Sequence, residues 1–227
     1  MNFLKNWFKK KEISSIKTGI AAVRREYLGP ELNEENVGSD PIQLFETWYE
    51  EASQKVQYDV NAMVLSTINE NKPESRVVLL KGFDESGFVF YTNYNSDKGQ
   101  QIDSNNQVAL IFYWAETFRQ VRINGKAVKV DSQTSDEYFN SRPIESRLSA
   151  IASPQSQMIP NRIKLEELLQ KTRQQWKERD PVRPENWGGY LVIPDKIEFW
   201  QGRTGRLHDR IKFQLSEDKW VKSRLAP

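Results

Sequence analysis

Residues 107–130 read QVALIFYWAETFRQVRINGKAVKV and contain two segments rich in β-branched and aromatic side chains. Side chains of this kind favour β-strands, so residues 107–114 and 119–130 are predicted to be strands. The four residues between them, AETF at 115–118, are too few for a crossover helix. Strands joined by so short a connection run antiparallel, so this stretch predicts an antiparallel sheet.

The same pattern continues on both sides of this stretch. Three strand-like segments precede it: AMVLSTI at 62–68, SRVVLLKGF at 75–83 and GFVFYTN at 87–93. Four more lie near the C-terminus: GGYLVI at 188–193, KIEFWQG at 196–202, RLHDRIKF at 206–213 and KWVKSRL at 219–225. Five strands within about seventy residues favour a Greek-key sheet or barrel.

Helices are predicted outside this sheet. Asp40 and Pro41 are residue types typical of an N-cap and a first helical position, and an apolar stripe follows them. Residues 135–143 and 159–179 are predicted to form a helical insert. The second of these segments carries an apolar stripe at Leu165, Leu168, Leu169, Thr172 and Trp176. The sequence therefore predicts an α+β protein with a closed antiparallel sheet and peripheral helices.

Composition limits the classes of function. The 227 residues include 33 Lys and Arg and 31 Asp and Glu, so the net charge of +2 gives no reason to expect a nucleic-acid or membrane partner. Cysteine is absent and there is one histidine, which excludes disulfides, thiolate metal sites and His-rich metal sites. No apolar run approaches the roughly 20 residues that span a bilayer. We expect a cytoplasmic protein without a metal site, with an N-terminal arm at 1–39 and a single domain at 40–227.

The single histidine lies in WQGRTGRLHDR, residues 200–210. Arg206, His208 and Arg210 alternate along the predicted strand, so their side chains are expected on one face of the sheet. Two permanent cations beside an imidazole indicate an anionic ligand opposite them.

Two strand segments offer further candidates. Arg76 and Lys81 bracket four apolar residues that are expected to be buried. This segment is either an edge strand whose charged ends reach solvent or a strand beneath a flat apolar ligand with an anionic end. The loop after residues 90–93 combines hydroxyl and amide side chains with Lys98, which suits either a phosphate site or an ordinary turn.

A third candidate is YFNSRPIES, residues 138–146. Tyr138, Arg142 and Ser146 follow at four-residue steps and would share one face of a helix. A guanidinium and two hydroxyl groups suit a phosphate monoester. Pro143 interrupts the helix, so a capped helix boundary is the alternative interpretation. SPQSQ at 153–157 and RREY at 24–27 are typical of a linker and of a solvated helix face.

Taken together, the candidates indicate a cofactor site. An apolar slot with cationic and hydroxyl groups at its ends is typical of such sites. Because the sequence offers neither metal ligands nor a redox-active side chain, redox chemistry would require an organic cofactor.

Eight motifs, in order, resemble the pyridoxamine 5′-phosphate oxidase family: RVVLLK, FYTN, RPxxSR, QS, WGGY, IEFWQG, RLHDR and RLAP. They cover the chain from about Arg24 to the C-terminus. The resemblance implies a split β-barrel and a homodimer that binds two FMN at its interface. It also implies oxidation of pyridoxamine or pyridoxine 5′-phosphate to pyridoxal 5′-phosphate. Hydride would pass from the substrate C4′ to flavin N5, and O2 would reoxidise the flavin and give H2O2.

The resemblance also implies the residues of the site. FMN would contact Arg76, Val77, Val78, Leu79, Leu80, Lys81, Tyr91, Thr92, Lys98, Gln120, Gln155, Ser156, Trp200 and Arg210, with Arg76 and Lys98 at its phosphate. The substrate would contact Arg24, Arg25, Glu26, Tyr27, Lys81, Tyr138, Arg142, Ser146, Arg206, Leu207 and His208. The segment at 24–27 would cover the substrate, so that the arm serves partly as a lid. In the implied catalytic pair, neutral His208 orients the substrate and Arg206 assists proton and hydride movement.

One position departs from the family pattern. Asp97 stands where the family commonly has an arginine that would bind the FMN phosphate, so FMN is expected to bind somewhat more weakly. Two alternatives remain: a flavin-binding split-barrel reductase with another substrate, and a protein that binds pyridoxal 5′-phosphate without turnover. A nucleic-acid binder is a more distant third.

Overall fold

The computed structural model describes residue 23 and residues 25–227. Its helices are α1 (Pro41–Ser53), α2 (Asp97–Ser104), α3 (Ser132–Ser141), α4 (Ile144–Ala152) and α5 (Arg162–Gln175). Its strands are β1 (Ala62–Asn69), β2 (Lys72–Leu79), β3 (Gly82–Asp84), β4 (Gly87–Asn93), β5 (Gln107–Trp114), β6 (Arg119–Lys129), β7 (Trp187–Gln201), β8 (Asp209–Ser216) and β9 (Lys219–Arg224). The α+β class is confirmed. None of the helices in the described part of the chain is both long and apolar enough to cross a membrane.

All nine strands belong to one antiparallel sheet. Its order is β2-β1-β5-β6-β7-β4-β3, and β8 pairs with β7 and with β9. β7 has 15 residues, so the prediction of two separate strands at 188–193 and 196–202 is wrong. A proline inside a strand usually requires a bulge, and here Pro194 lies opposite a register shift at Asn124 and Gly125. A Cβ on Gly125 would lie 2.1 Å from the Ile193 carbonyl oxygen, which is why a glycine is needed there.

The predicted closure of the sheet is wrong, because no pairing among the described residues joins β2 to β3. These two ends of the sheet are consecutive in the chain and are connected by Leu80 and Lys81. The backbone N–H of Lys81 donates to Val89 O at 2.8 Å. The result is a split barrel in which the segment predicted as one strand at 75–83 bends into two.

Burial along this bent segment also differs from the prediction. Leu80 is buried, but Val77 and Leu79 are 65% and 39% exposed. β2 is the first strand in the sheet order, so one of its edges has no paired strand among the described residues. Val77 and Leu79 present apolar side chains partly to solvent, and both line the cavity described below.

Helix α1 fixes the core. The side chain of Asp40 accepts a hydrogen bond from Ile42 N at 2.8 Å, and Pro41 is the first helical residue, so the predicted N-cap is confirmed. Phe45 is fully buried, with ring centroids 4.9 Å from Phe88 and 5.1 Å from Phe112. Edge-to-face aromatic contacts of this kind add to the free energy of burial.

The helical insert is divided by Pro143. α3 ends at Ser141 and α4 begins at Ile144, since proline lacks the N–H and the residue before it avoids the helical region. Arg142 accordingly has φ −74° and ψ 148°. The continuous helical face predicted for Tyr138, Arg142 and Ser146 is therefore not formed. The stripe predicted on α5, in contrast, lies on its less exposed side.

The strand predicted at 206–213 begins three residues later, at Asp209. Residues Thr204–Arg206 form a short 3-10 turn, in which Gly205 and Arg206 both have left-handed backbone conformations, with φ 62° and 61°. The prediction that Arg206, His208 and Arg210 alternate along one strand is therefore wrong.

Candidate functional site

A cavity of about 570 Å³ lies among β2, β4, the start of α2 and the insert α3–α4. Eleven of the predicted site residues line it: Val77, Val78, Leu79, Lys81, Tyr91, Thr92, Lys98, Tyr138, Arg142, Ser146 and Gln155. They come from both the cofactor set and the substrate set, and they span almost eighty positions of the chain. The fold thus brings together most of what the motifs predict.

Lys98 provides one cationic end of the cavity. It lies in the first turn of α2 and is buried, with its Nζ 3.4 Å from the Thr92 hydroxyl and 3.3 Å from the Ser96 hydroxyl. Burial, and secondly the nearby Arg76, lower the pKa of Lys98. Both hydroxyl partners are neutral. A buried ammonium with neutral partners at a helix N-terminus suits an anion, because an anion would offset the cost of burying the charge.

Arg76 lies beside this end but does not line the cavity. Its guanidinium contacts the Thr67 hydroxyl and donates to Gln101 Oε1 at 3.0 Å. Glu74 lies 3.5 Å from the same group and accepts a hydrogen bond from Gln101 Nε2 at 2.8 Å. These contacts hold Arg76 close to the Lys98 end of the cavity and couple it to a carboxylate.

Arg142 provides the second cationic end. Its guanidinium carbon lies 4.8 Å from the ring centroid of Trp187, and its buried Nη1 has no hydrogen-bond partner. Burial lowers the pKa of Arg142. An unpaired buried guanidinium nitrogen is costly, and a carboxylate or phosphate oxygen would satisfy it. Tyr138 and Ser146 line the same cavity, which therefore unites these three residues although the helix between them is broken.

Aromatic rings form one wall of the cavity. The Tyr91 and Tyr138 rings stack at 3.8 Å and 19°, and Trp187 lies parallel to both, at 5.6 and 6.2 Å. Trp187 is followed by Gly188 and Gly189, and neither position has room for a side chain. A Cβ on Gly189 would lie 2.9 Å from the Tyr91 ring, and a Cβ on Gly188 would lie 2.2 Å from the Tyr94 hydroxyl. Burial raises the pKa of Tyr91.

Trp187 was not among the predicted site residues, and neither were five others that line the cavity: Asn93, Pro143, Ser149, Ala150 and Ser153. A sequence signal did exist for Trp187, since it begins the motif WGGY. The five other residues lie on the same strand, helix or loops as predicted site residues, but no sequence motif marks them as site residues.

A second group of predicted residues lies elsewhere. Tyr27 packs edge-on against Trp200 at 5.6 Å and against His208 at 5.4 Å, and the rings of Trp200 and His208 are 4.7 Å apart. A Cβ on Gly202 would lie 2.7 Å from the Tyr27 ring, so the glycine permits this close approach. The guanidinium of Arg25 lies 4.6 Å from the ring centroid of Phe118.

His208 has a defined proton position. Its Nδ1 accepts a hydrogen bond from Arg203 N at 3.1 Å, which places the proton of the neutral ring on Nε2. Burial, and secondly Arg206, lower the pKa of His208. Arg210 is neutralised by the buried carboxylate of Glu198 at 2.8 Å. Of the two arginines that flank His208 in the sequence, only Arg206 lowers its pKa.

The remaining predicted residues are placed as follows. Gln120 is the partner of Trp200 in the β6–β7 ladder. Leu80 belongs to the core, and Ser156 lies exposed beside Gln155 with a left-handed φ of 69°. Glu26, Leu207 and Arg206 are exposed. Arg24 lies outside the described residues.

The two groups are separated along β7. Trp187 at its start lines the cavity, whereas Trp200 near its end packs on His208. Thirteen residues of strand correspond to roughly 43 Å of path. The cavity of this chain therefore does not include Arg206, His208, Trp200 or Tyr27. The described residues also contain no group of three or more His, Cys, Asp or Glu side chains that could hold a metal ion.

The fold and the cavity define the class of this protein: an α+β split barrel with a cavity suited to anionic ligands. A family model described as pyridoxamine 5′-phosphate oxidase matches residues 49–176. A second, described as the pyridoxine 5′-phosphate oxidase C-terminal dimerisation region, matches residues 187–227.

Relatives agree with the family models. A pyridoxine/pyridoxamine 5′-phosphate oxidase of Legionella pneumophila (strain Lens) is 50% identical over 92% of this chain and 97% of its own length. One from Leptospira interrogans is 49% identical over 92% of this chain and 98% of its own. The chain belongs to the pyridoxine/pyridoxamine 5′-phosphate oxidase family and is an oxidoreductase.

Solved structures support the fold. PhzG from Burkholderia lata, in complex with tetrahydrophenazine-1-carboxylic acid, has a TM-score of 0.81 at 25% identity and matches 88% of this chain and 99% of its own. A pyridoxamine 5′-phosphate oxidase-related, FMN-binding protein from Nostoc punctiforme has a TM-score of 0.67 at 17% identity and matches 84% of this chain and 100% of its own. The split barrel predicted from the motifs is confirmed.

Proposed function

We propose that this protein oxidises pyridoxamine 5′-phosphate and pyridoxine 5′-phosphate to pyridoxal 5′-phosphate, with FMN as its cofactor and O2 as the acceptor. The observation that carries the proposal is the pair of cationic ends in one aromatic-walled cavity, Lys98 and Arg142. Two phosphorylated molecules, a flavin and a pyridine, need two such ends and a flat apolar surface between them.

FMN suits the Lys98 end. Its phosphate would satisfy the buried ammonium of Lys98 and the nearby guanidinium of Arg76. Residues Val77 to Leu79 and the side chain of Gln155 line the adjacent cavity and would contact the flavin ring. When bound, FMN supplies the redox chemistry: it takes two electrons from the substrate and passes them to O2, which becomes H2O2.

The substrate phosphate suits the Arg142 end. The unpaired Nη1 of Arg142 lies at this end, and Tyr138, Ser146 and Lys81 line the same cavity. Together they supply a planar guanidinium, two neutral donors and a second charge, which is the donor set that a phosphate monoester requires. These residues would bind and orient the substrate, and the aromatic wall would exclude water from it.

A second copy of the chain would complete the site. Residues 187–227 match a dimerisation region, and Val77 and Leu79 expose apolar side chains at the cavity mouth. In a homodimer with FMN at its interface, Arg206 and His208 of one protomer would face the cavity of its partner. This arrangement explains why His208 lies far along β7 from the cavity of its own chain.

Within the completed site His208 would hold the substrate through its Nε2 proton, since Nδ1 is already occupied by the Arg203 N–H. Arg206 would assist proton and hydride movement at the C4′ carbon. Tyr27 would cover the bound substrate. Trp200, Gln120, Ser156 and Arg210 would complete the contacts of the flavin.

The test is turnover by the FMN-loaded protein and by its Arg142→Gln variant. Wild type should form pyridoxal 5′-phosphate and H2O2 in equal amounts from pyridoxine 5′-phosphate. Because Arg142→Gln removes a charge-assisted contact to the phosphate, KM should rise by about a hundredfold. Arg162→Gln is the matched control, since Arg162 is 79% exposed on α5 and should leave KM unchanged. A wild type that takes up FMN and forms no pyridoxal 5′-phosphate would contradict the proposal.

A further inference from the structure

The N-terminal strap, defined as residues 25–39, is attached to the C-terminal strands. Gly29 N donates to Gly202 O at 3.2 Å, and Arg203 Nη1 donates to Gly29 O at 3.2 Å. Arg203 also pairs with Glu31 at 3.2 Å. These contacts lie two to four residues after Tyr27, so they restrain the backbone next to the residue that carries the ring.

Asp209 is the centre of this attachment. Its Oδ2 accepts a hydrogen bond from Leu32 N at 3.1 Å, and its Oδ1 accepts one from Arg224 Nη1 at 2.8 Å. Arg203 Nε lies 3.7 Å from the same carboxylate, and the Asp209 side chain is 17% exposed. One carboxylate therefore joins the strap, the loop before β8 and the last residue of β9.

Arg224 extends the attachment along the strap. It donates to Leu32 O at 2.9 Å and to both carboxylate oxygens of Glu34, at 2.7 and 2.6 Å. The hydrogen bond from Arg224 lowers the pKa of Glu34 to about 2. Lys222 contacts Glu34 O and donates to Gly38 O at 2.9 Å. A bidentate guanidinium–carboxylate pair fixes geometry as well as charge.

The same carboxylate is adjacent in sequence to His208. Tyr27, on the strap, lies 5.4 Å from the His208 ring. The strap and the histidine loop are thus held in register by a group that touches neither ring. In the proposed function, both rings contact the substrate, so their relative position decides how the substrate is covered.

We propose that Asp209 is a positioning residue for substrate binding: it locks the N-terminal strap to the His208 loop and thereby sets the position of Tyr27 over the substrate. Glu34 and Arg224 complete this lock. The inference rests on the proposed function, and it assigns a role to three residues that touch neither the cavity nor the rings.

The first test uses Asp209→Asn in the FMN-loaded protein. Asparagine keeps one acceptor oxygen of the two, so either Leu32 N or Arg224 loses its partner. Amide hydrogen exchange in the strap should become about tenfold faster, the factor that one charge-assisted hydrogen bond typically contributes. KM for pyridoxine 5′-phosphate should rise by a similar factor while kcat changes less than about twofold. Asp218→Asn, at the exposed turn before β9, is the matched control.

A second variant guards against misfolding. Glu34→Gln removes the strap's own carboxylate, which is 42% exposed, and leaves Asp209 in place. It should also accelerate exchange in the strap and raise KM, to a smaller extent than Asp209→Asn. Unchanged exchange in both variants would overturn the inference, and so would faster exchange with an unchanged KM. Failure of the proposed function itself is distinguishable, because wild type would then lack turnover while the exchange measurement still reports on the lock.

Discussion

His208 is the residue whose chemistry depends most on its surroundings. The Arg203 N–H fixes its tautomer, and burial together with Arg206 lowers its pKa below the ordinary value of about 6.5. The neutral form therefore persists at neutral pH, and protonation would break the hydrogen bond to Nδ1. Since the unfolded chain takes up this proton more readily, the contribution of His208 to stability is present above about pH 6.5 and is lost as the pH falls from there through the lower pKa of the folded state.

This environment predicts the acidic limb of the pH profile. If neutral His208 orients the substrate, kcat/KM should fall with decreasing pH only below about 6.5. Arg206→Gln removes a positive charge that lowers the pKa of His208, so this pKa should rise and the acidic limb should move to higher pH. The shift of the limb is read separately from any overall loss of rate. The measurement is kcat/KM from pH 5 to 8 for wild type, Arg206→Gln and His208→Asn. An unchanged acidic limb in His208→Asn would show that another group titrates.

Single residues were predictable where their chemistry is unusual for the position. Lys98, Arg142 and His208 each combine a charge or an imidazole with a motif, and the first two line the cavity. Asp209 and Trp187 were missed as functional candidates although they lie in the motifs RLHDR and WGGY, because a motif alone does not show which of its residues have a role. Their importance comes from contacts with residues far away in the chain, which no local pattern encodes.

Helix α2 presents its N-terminus to the Lys98 end of the cavity. Asp97 is exposed in its first turn, where a carboxylate interacts favourably with the helix dipole, and it raises the pKa of Lys98. The same negative charge opposes a phosphate at this helix end. Asp97 thus stabilises helix α2 and weakens the binding of an anion at its N-terminus.

Replacing this charge gives a prediction for cofactor affinity. Asp97→Arg should lower the Kd for FMN by about three- to tenfold, because an exposed charge near a phosphate contributes only modestly. The gain should shrink at 1 M salt, where the Debye length is about 3 Å. Flavin fluorescence titration of the apoprotein measures it, with Glu85→Arg as a control of equal charge change at an exposed turn. An affinity unchanged by Asp97→Arg would mean that Asp97 has no influence on the flavin phosphate.

The bounds of helices and strands were predicted well where a local sequence pattern sets them, and less well where tertiary contacts set them. The N-cap at Asp40 and the strands 107–114 and 119–129 match the expectation closely. The break of β2 and β3 at Leu80 and the continuity of β7 through Pro194 were not predicted. Both features depend on pairing with a neighbouring strand. β7 continues through Pro194 because β6 has a bulge opposite it, and β3 is separate from β2 because β4 pairs only with residues 82–84 of the segment.

The whole molecule separates the candidate residues into two groups, one at the cavity and one around His208. Sequence order could not reveal this, because all motifs lie in one chain and the resemblance gives them as one site. The separation becomes meaningful in a homodimer, where each cavity would receive the His208 group of the other protomer. Symmetric exchange of this kind gives two equivalent sites.

This arrangement predicts complementation between two variants that are each strongly impaired at a substrate concentration below the wild-type KM. Arg142→Gln and His208→Asn alter different groups, so a mixed dimer would contain one site with both changes and one intact site. Coexpression with random pairing should restore about a quarter of wild-type activity, since about half of the dimers are mixed. Arg142→Gln with Tyr138→Phe is the control, because both residues lie at the same cavity and should not complement. No recovery in the first pair would place Arg142 and His208 in the site from the same protomer.

The most direct measurement of the central claim is the visible spectrum of the FMN-loaded protein under anaerobic conditions. Addition of one equivalent of pyridoxine 5′-phosphate should bleach the flavin bands and produce an equal amount of pyridoxal 5′-phosphate. Admission of air should then restore the flavin bands and release H2O2. Flavin bands that persist both after addition of pyridoxine 5′-phosphate and after addition of pyridoxamine 5′-phosphate would contradict the account.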